Sequence, residues 1–168
     1  MALTEPASPR PPLRRAAGAS IVTMSNIFTE AELAYLAGQP LGRLATVGPD
    51  GRPHIAPVGV FYDPEADAVV VAGHAGTSFG TSKKFRDVLA HPEVAYAVDD
   101  LASVDPWEPR GIEVRGTAET FTEGGEELGA RITRVMPFAP AWLRIHARRV
   151  LSWGIEPGAP DPYARDVA

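Results

Sequence analysis

The sequence predicts an α+β fold: an antiparallel β-barrel with small flanking helices. Three observations predict it. Short runs rich in Val, Ile, Ala and Tyr recur from Leu41 onward. The first two are joined by Gly48-Pro49-Asp50-Gly51, a hairpin signal. Helical periodicity is confined to brief segments between such runs. Sequence-adjacent strands with tight turns pair antiparallel, and small barrels result when such a sheet curls on itself.

Each element follows from local chemistry. "FTEAELAYLAG" reads as a helix, with Thr29 and Glu32 as a capping box and Gly38 as the stop. Leu33, Leu36 and Ala37 fall on one face. Leu41–Val47 and Pro53–Tyr62 read as the hairpin strands. "ADAVVVAG" is a third strand after a turn at Asp63-Pro64. Ser82 to Ala90 is a short helix ended by His91-Pro92, since the residue before proline is driven out of the helical region. "VAYAVDD" is the fourth strand. "LASVDPWEPRG" reads as a loop, "IEVRGTAETF" as a fifth strand and "EELGARITRVM" as a helix stopped by Pro137. A last strand is expected around Arg148–Ile155.

Composition sets limits. The chain has 168 residues, 45% of them hydrophobic and 22% charged, which suits one domain with its own core. No apolar run approaches the length of a membrane span. With no cysteine, disulfide and thiolate chemistry are excluded. The net charge of −5 argues against nucleic acid as a partner. Residues 1–23, rich in Pro, Ala and Arg, read as a disordered tail without the apolar core of a secretory signal. Met24 is a candidate start. Residues 24–157 form the expected barrel domain and 158–168 a C-terminal tail or arm. A cytoplasmic location is the expectation.

The basic residues point to a site. Lys83 and Lys84 are the only lysines, and both open the short helix. A helix N-terminus carries partial positive charge, so cations there are unfavourable unless an anion joins them. Thr81 and Ser82 would add hydroxyl donors and Arg86 a third cation. "GHAGTSFG" just before offers small residues that let a ligand approach the backbone. The bland alternative is a solvated basic turn balanced by Asp87. Neither a Walker motif nor a dinucleotide fingerprint is present.

The succession "LGRLATVGPDGRPHIAPVGVFYD", "AVVVAG" and "TSKKFRDVLAHPEVAYAVDD" resembles the pyridoxamine 5′-phosphate oxidase-like flavoproteins. Within them it is most similar to the actinobacterial branch that uses the deazaflavin coenzyme F420. "DPWEPRGIEVRGTAE" and "LRIHARRVLSWGIE" resemble the subgroup containing tetracycline-pathway reductases. The resemblance runs from Ile27 to Glu156. It implies an antiparallel split β-barrel of the FMN-binding type, and a homodimer with cofactor sites at its interface. It places the cofactor phosphate at Ser82, Lys83, Lys84 and Arg86. It places the ring between Pro57, Val58 and Gly59 on one strand and Val71, Ala72 and Gly73 on the other. Trp107 would flank the ring from the partner subunit. Some relatives carry arginine where Ser82 stands, which is a departure at the phosphate.

The implied activity is F420-dependent oxidoreduction, with hydride transfer to a small organic acceptor such as an enone. An FMN-dependent oxidase or reductase and a non-catalytic flavin or deazaflavin carrier are the alternatives on the same fold. Such chemistry needs positioning more than a dedicated acid–base pair, and none stands out. His54, on the hairpin strand, and His74, before the lysines, are candidate proton donors to a substrate, the alternative for each being a surface or strand-end histidine. The four histidines lack ligand spacing, so no metal is expected. Asp99, Asp100 and Asp105 read as a solvated acidic loop, and no serine has a base beside it for a hydrolase triad.

Overall fold

A computed structural model describes residues 25–156, 158 and 162–167. The expectations for residues 1–23 and for Met24 lie outside the described residues. Helix α1 spans Glu30–Ala37. Thr29 Oγ accepts from the Glu32 amide at 3.2 Å, and the Glu32 carboxylate accepts from the Thr29 amide at 3.0 Å, a complete capping box. Gly38 ends the helix.

Eight strands form one curled antiparallel sheet: β1 Leu41–Val47, β2 Pro53–Gly59, β3 Phe61–Asp63, β4 Ala68–His74, β5 Glu93–Ser103, β6 Glu108–Phe121, β7 Phe138–Trp153 and β8 Tyr163–Asp166. Their order is β2-β1-β5-β6-β7-β4-β3, with β8 added beside β7. Helix α2, Lys83–Ala90, follows a single 3₁₀ turn at Phe79–Thr81, and α3 spans Gly125–Ile132. This is the curled half-barrel of an α+β split-barrel fold, as expected.

Five features differ from the sequence expectation. The run Pro53–Tyr62 is two strands. β2 pairs with β1 while β3 pairs with β4, so the chain changes neighbour at Val60. The expected loop at residues 101–111 is mostly hairpin: β5 and β6 stay paired to Ser103 and Glu108, with Asp100 opposite Arg110. The cross-strand pair holds polar residues in the ladder that composition alone assigns to a loop. Helix α3 ends at Ile132, short of Pro137. β7 starts at Phe138, well before Arg148. It accommodates Pro140 where its register with β4 shifts, between Ala72 and His74, the kind of irregularity that tolerates a residue without an amide N–H. The segment after residue 157, expected as a tail or arm, contains β8, which pairs with residues 149–152.

Strand β7 is the spine. β6 runs along one edge, while β4 and then β8 share the other. The interior is built on Leu44, Val71, Val98, Ile112, Leu143 and Val150, all fully buried. A second cluster under α3 joins Val70, Leu128, Phe138 and Trp142. Burying such side chains contributes about 1.5–3 kcal/mol each.

Candidate functional site

The cleft that carries the site opens where β2, β4 and the start of α2 converge. Its volume is 540 Å³. β2 supplies Pro57, Val58 and Gly59, and β4 supplies Ala72, Gly73 and His74. The connecting loop adds Thr77, Ser78 and Phe79, and α2 closes the cleft with Ser82 and Lys84. Two strands from opposite ends of the sheet order meet here because the sheet curls until β2 faces β4.

Lys84 is the cleft's lysine. It is partly buried, with its Nζ 5.1 Å from the centre of the Phe79 ring. Burial pulls its pKa below the usual lysine range. Among the described residues no carboxylate lies within ion-pair distance of it. A half-buried ammonium without a counter-charge, at a cleft that also holds a helix start, fits an anionic group. Ser82 caps α2, accepting from the Phe85 amide at 3.4 Å, which leaves its O–H free to donate into the cleft. By helix geometry the Lys83 and Lys84 amides lack intrahelical acceptors, while those of Phe85 and Arg86 are taken by Ser82.

Lys83 is placed differently. Its Nζ donates to both oxygens of Asp87, at 2.9 and 3.0 Å. Asp87 is only 2% exposed. It also accepts from the Thr46 hydroxyl at 2.8 Å, and His54 Nδ1 lies 3.4 Å away. Burial alone pushes the Asp87 carboxyl up, but the Lys83 and Thr46 donors outweigh it and hold it below the usual carboxylate range. His54 therefore belongs to this buried cluster and not to the cleft.

The remaining sequence candidates separate as follows. Val71 is fully buried and faces the interior. Thr81 donates its hydroxyl to the Ser78 carbonyl at 3.1 Å. Arg86 is exposed on the outer side of α2 and does not line the cleft. Trp107 is 67% exposed at the tip of the β5–β6 hairpin, away from this cleft of its own chain. His74 lines the cleft with Nδ1 2.7 Å from the Ala75 carbonyl. A carbonyl only accepts, so Nδ1 carries the proton and Nε2 is left free.

Residues that sequence reasoning did not single out include Leu41, Thr77, Ser78 and Phe79 in the cleft, and Thr46 behind it. The small residues of "GTSFG" signalled the loop but not Phe79, whose burial supports Lys84.

A larger groove of 860 Å³ lies between the end of α1, β3 and the segment after α3. Pro40 and Val60 on its wall directly adjoin Leu41 and Gly59 of the first cleft, and Leu41 and Gly59 pair across β1 and β2. Its lining is mainly apolar. Arg131 there is held by Asp63, at 2.8 and 2.9 Å. No group of three metal-ligating side chains occurs among the described residues, and no helix there is long and apolar enough to cross a membrane.

Comparison with known proteins gives a family match. A family model described as pyridoxamine 5′-phosphate oxidase matches residues 28–154. A 5a,11a-dehydrotetracycline/5a,11a-dehydrooxytetracycline reductase of Streptomyces rimosus is 39% identical over 141 residues, covering 83% of this chain and 93% of the relative. Among solved structures, a conserved hypothetical protein of Mycobacterium tuberculosis superposes with a TM-score of 0.58 at 24% identity, covering 77% of this chain and 87% of the other. A putative pyridoxamine 5′-phosphate oxidase of Lactobacillus delbrueckii gives 0.53 at 22% identity, covering 74% and 93%. These two structures support the fold.

Proposed function

This chain belongs to the pyridoxamine 5′-phosphate oxidase family, and on that premise we propose that it is an oxidoreductase that reduces a small organic molecule, using a deazaflavin of the F420 type held in the β2–β4–α2 cleft. The observation that carries this is Lys84: a half-buried ammonium without a carboxylate partner among the described residues, beside a free Ser82 hydroxyl at a helix start. These groups suit the phosphate of a flavin-type cofactor. Pro57–Gly59 and Ala72–His74 suit the ring, since both walls are lined mainly by Pro, Val, Gly and Ala, with His74 at one end. When bound, such a cofactor supplies the hydride. The protein's part is to orient ring and acceptor and to keep water out. His74 Nε2 is the cleft's free ring nitrogen. The apolar groove beyond Pro40 and Val60 offers space for the acceptor.

The outer face of the sheet supports a homodimer. Leu41 is 52% and Ile55 67% exposed. Ala45, Ala95, Ala97 and Leu151 lie on the same face by strand register. Arg43, Glu113, Arg115 and Arg149 share this face by the same register, so exposed aliphatic groups stand among charges, a mixed surface of the kind two copies can cover. In such a dimer, Trp107 of one subunit would flank the cofactor of the other.

Fluorescence titration with F420 and with FMN tests the assignment. The expected result is saturable F420 binding that Lys84→Ala weakens, with oxidation of reduced F420 when an enone acceptor is added. Tighter FMN binding would assign the cleft to the flavin instead. F420 binding without turnover over a broad acceptor panel would favour a carrier.

A further inference from the structure

The two adjacent lysines have opposite surroundings, and Asp87 makes the difference. Lys83 and Asp87 stand one helical turn apart, and an exposed pair at that spacing contributes little. Here the acid is not exposed. Asp87 is 2% accessible and receives three further constraints: both its oxygens bind Lys83, one accepts from Thr46 on β1, and His54 on β2 stands at 3.4 Å. Lys83 is drawn over the β1–β2 turn. A Cβ added at Gly48 would sit 3.2 Å from Lys83 Nζ and 3.5 Å from Asp87 Oδ1. The charge of Lys83 is thus cancelled on the far side of α2, while Lys84 faces the cleft.

We propose that Asp87 is a specificity-determining residue: by cancelling Lys83 it leaves the cleft one lysine charge, and so favours a cofactor with a phosphodiester over one with a phosphomonoester. This rests on the cofactor reading above and deepens it. A phosphodiester carries one negative charge, and a phosphomonoester carries about two at neutral pH. One ammonium balances the first. The second brings an excess charge into a half-buried site, where desolvating it is costly unless a second cation faces it. Beside its ribityl chain F420 carries a diester and FMN a monoester, so the preference separates deazaflavin from flavin at the phosphate and not at the ring. Asp87 touches neither cofactor. It acts through Lys83, and Thr46 and His54 hold it in place.

The test is the ratio of F420 to FMN dissociation constants, measured by fluorescence titration at fixed pH and low ionic strength. Asp87→Asn uncovers the Lys83 charge, and the ratio is expected to move toward FMN by about threefold to fivefold, the scale of one added charge acting through partly screened space. Adding Lys83→Met to Asp87→Asn removes that charge and should restore the wild-type ratio. A merely structural role would weaken both ligands together and would not be reversed by the second substitution. Asp87→Ser, which keeps a hydroxyl facing Thr46, must move the ratio in the same direction and serves if Asp87→Asn does not fold. An unchanged ratio in folded Asp87→Asn or Asp87→Ser protein that still binds both ligands overturns the proposal. If instead Lys84→Ala leaves both affinities unchanged, it is the cleft assignment that fails.

Discussion

Arg165 and Glu32 form an ion pair across 133 residues of sequence, joining β8 to the capping box of α1. Glu32 is fully buried, and Arg165 also donates to the Ile27 carbonyl at 2.6 Å. Burial raises the Glu32 pKa, but the bonds from Arg165, Ser152 and Thr29 outweigh this and hold it below the ordinary glutamate range. Arg165→Ala removes the partner and leaves a buried carboxylate uncompensated. It is expected to destabilise the fold by about 3 kcal/mol, read as a lower urea midpoint. Glu32→Gln, which abolishes the charge, should suppress most of the further loss caused by Arg165→Ala in the double variant.

Acid stability has a defined sign. The Arg110 guanidinium is the main cause that holds the Asp100 carboxyl down at about 2, with Gln39 and Tyr35 adding hydrogen bonds. A group whose folded pKa is depressed contributes stability above its unfolded pKa and loses it as pH falls through the folded value. The Asp100 contribution is therefore present above about pH 4 and declines toward pH 2. Asp100→Asn is expected to make unfolding free energy less steep across that window, followed by denaturant titration at stepped pH.

Lys84→Ala is expected to weaken cofactor binding by about 1.5–3 kcal/mol, the scale of a charge-assisted hydrogen bond. Arg86→Ala, on the exposed outer side of α2, should change it far less. Equilibrium titration of both variants against F420 decides whether cleft position or mere proximity to the helix start matters.

The exposed face of β1 and β2 predicts self-association. Ile55→Asp places a charge on that face. It is expected to weaken dimerisation roughly tenfold or more, the scale of losing one buried aliphatic anchor. Sedimentation velocity over a concentration series measures it. A chain that sediments as a monomer before substitution would remove the dimer from the proposal.

Much of this was legible locally. Thr29, Glu32 and Gly38 specify α1 by themselves, and Gly48 to Gly51 specify the β1–β2 turn, because capping and turn chemistry act within a few residues. Non-local pairing was not legible. Pro106 and Pro109 disguised a hairpin that Asp100 and Arg110 hold together across strands. Pro140 disguised the first half of β7. The lysine pair pointed to the site, and Asp87 was visible as a balancing acid one turn away. That it would be buried, and would take one lysine and leave the other, depends on Thr46 and His54, which lie 41 and 33 positions earlier in the chain.

Strand β7 is flanked along both edges, by β6 on one side and by β4 and β8 on the other at residues 142–145 and 149–152. Its amides there have no path to solvent through fraying of a free edge. Deuterium should enter them last, at rates that report global unfolding, while β2, at the rim of the sheet, exchanges through local opening. The cleft thus has one wall, β4, joined to the slowest-exchanging strand and the other on an edge strand, which leaves the β2 side free to adjust when a ligand enters.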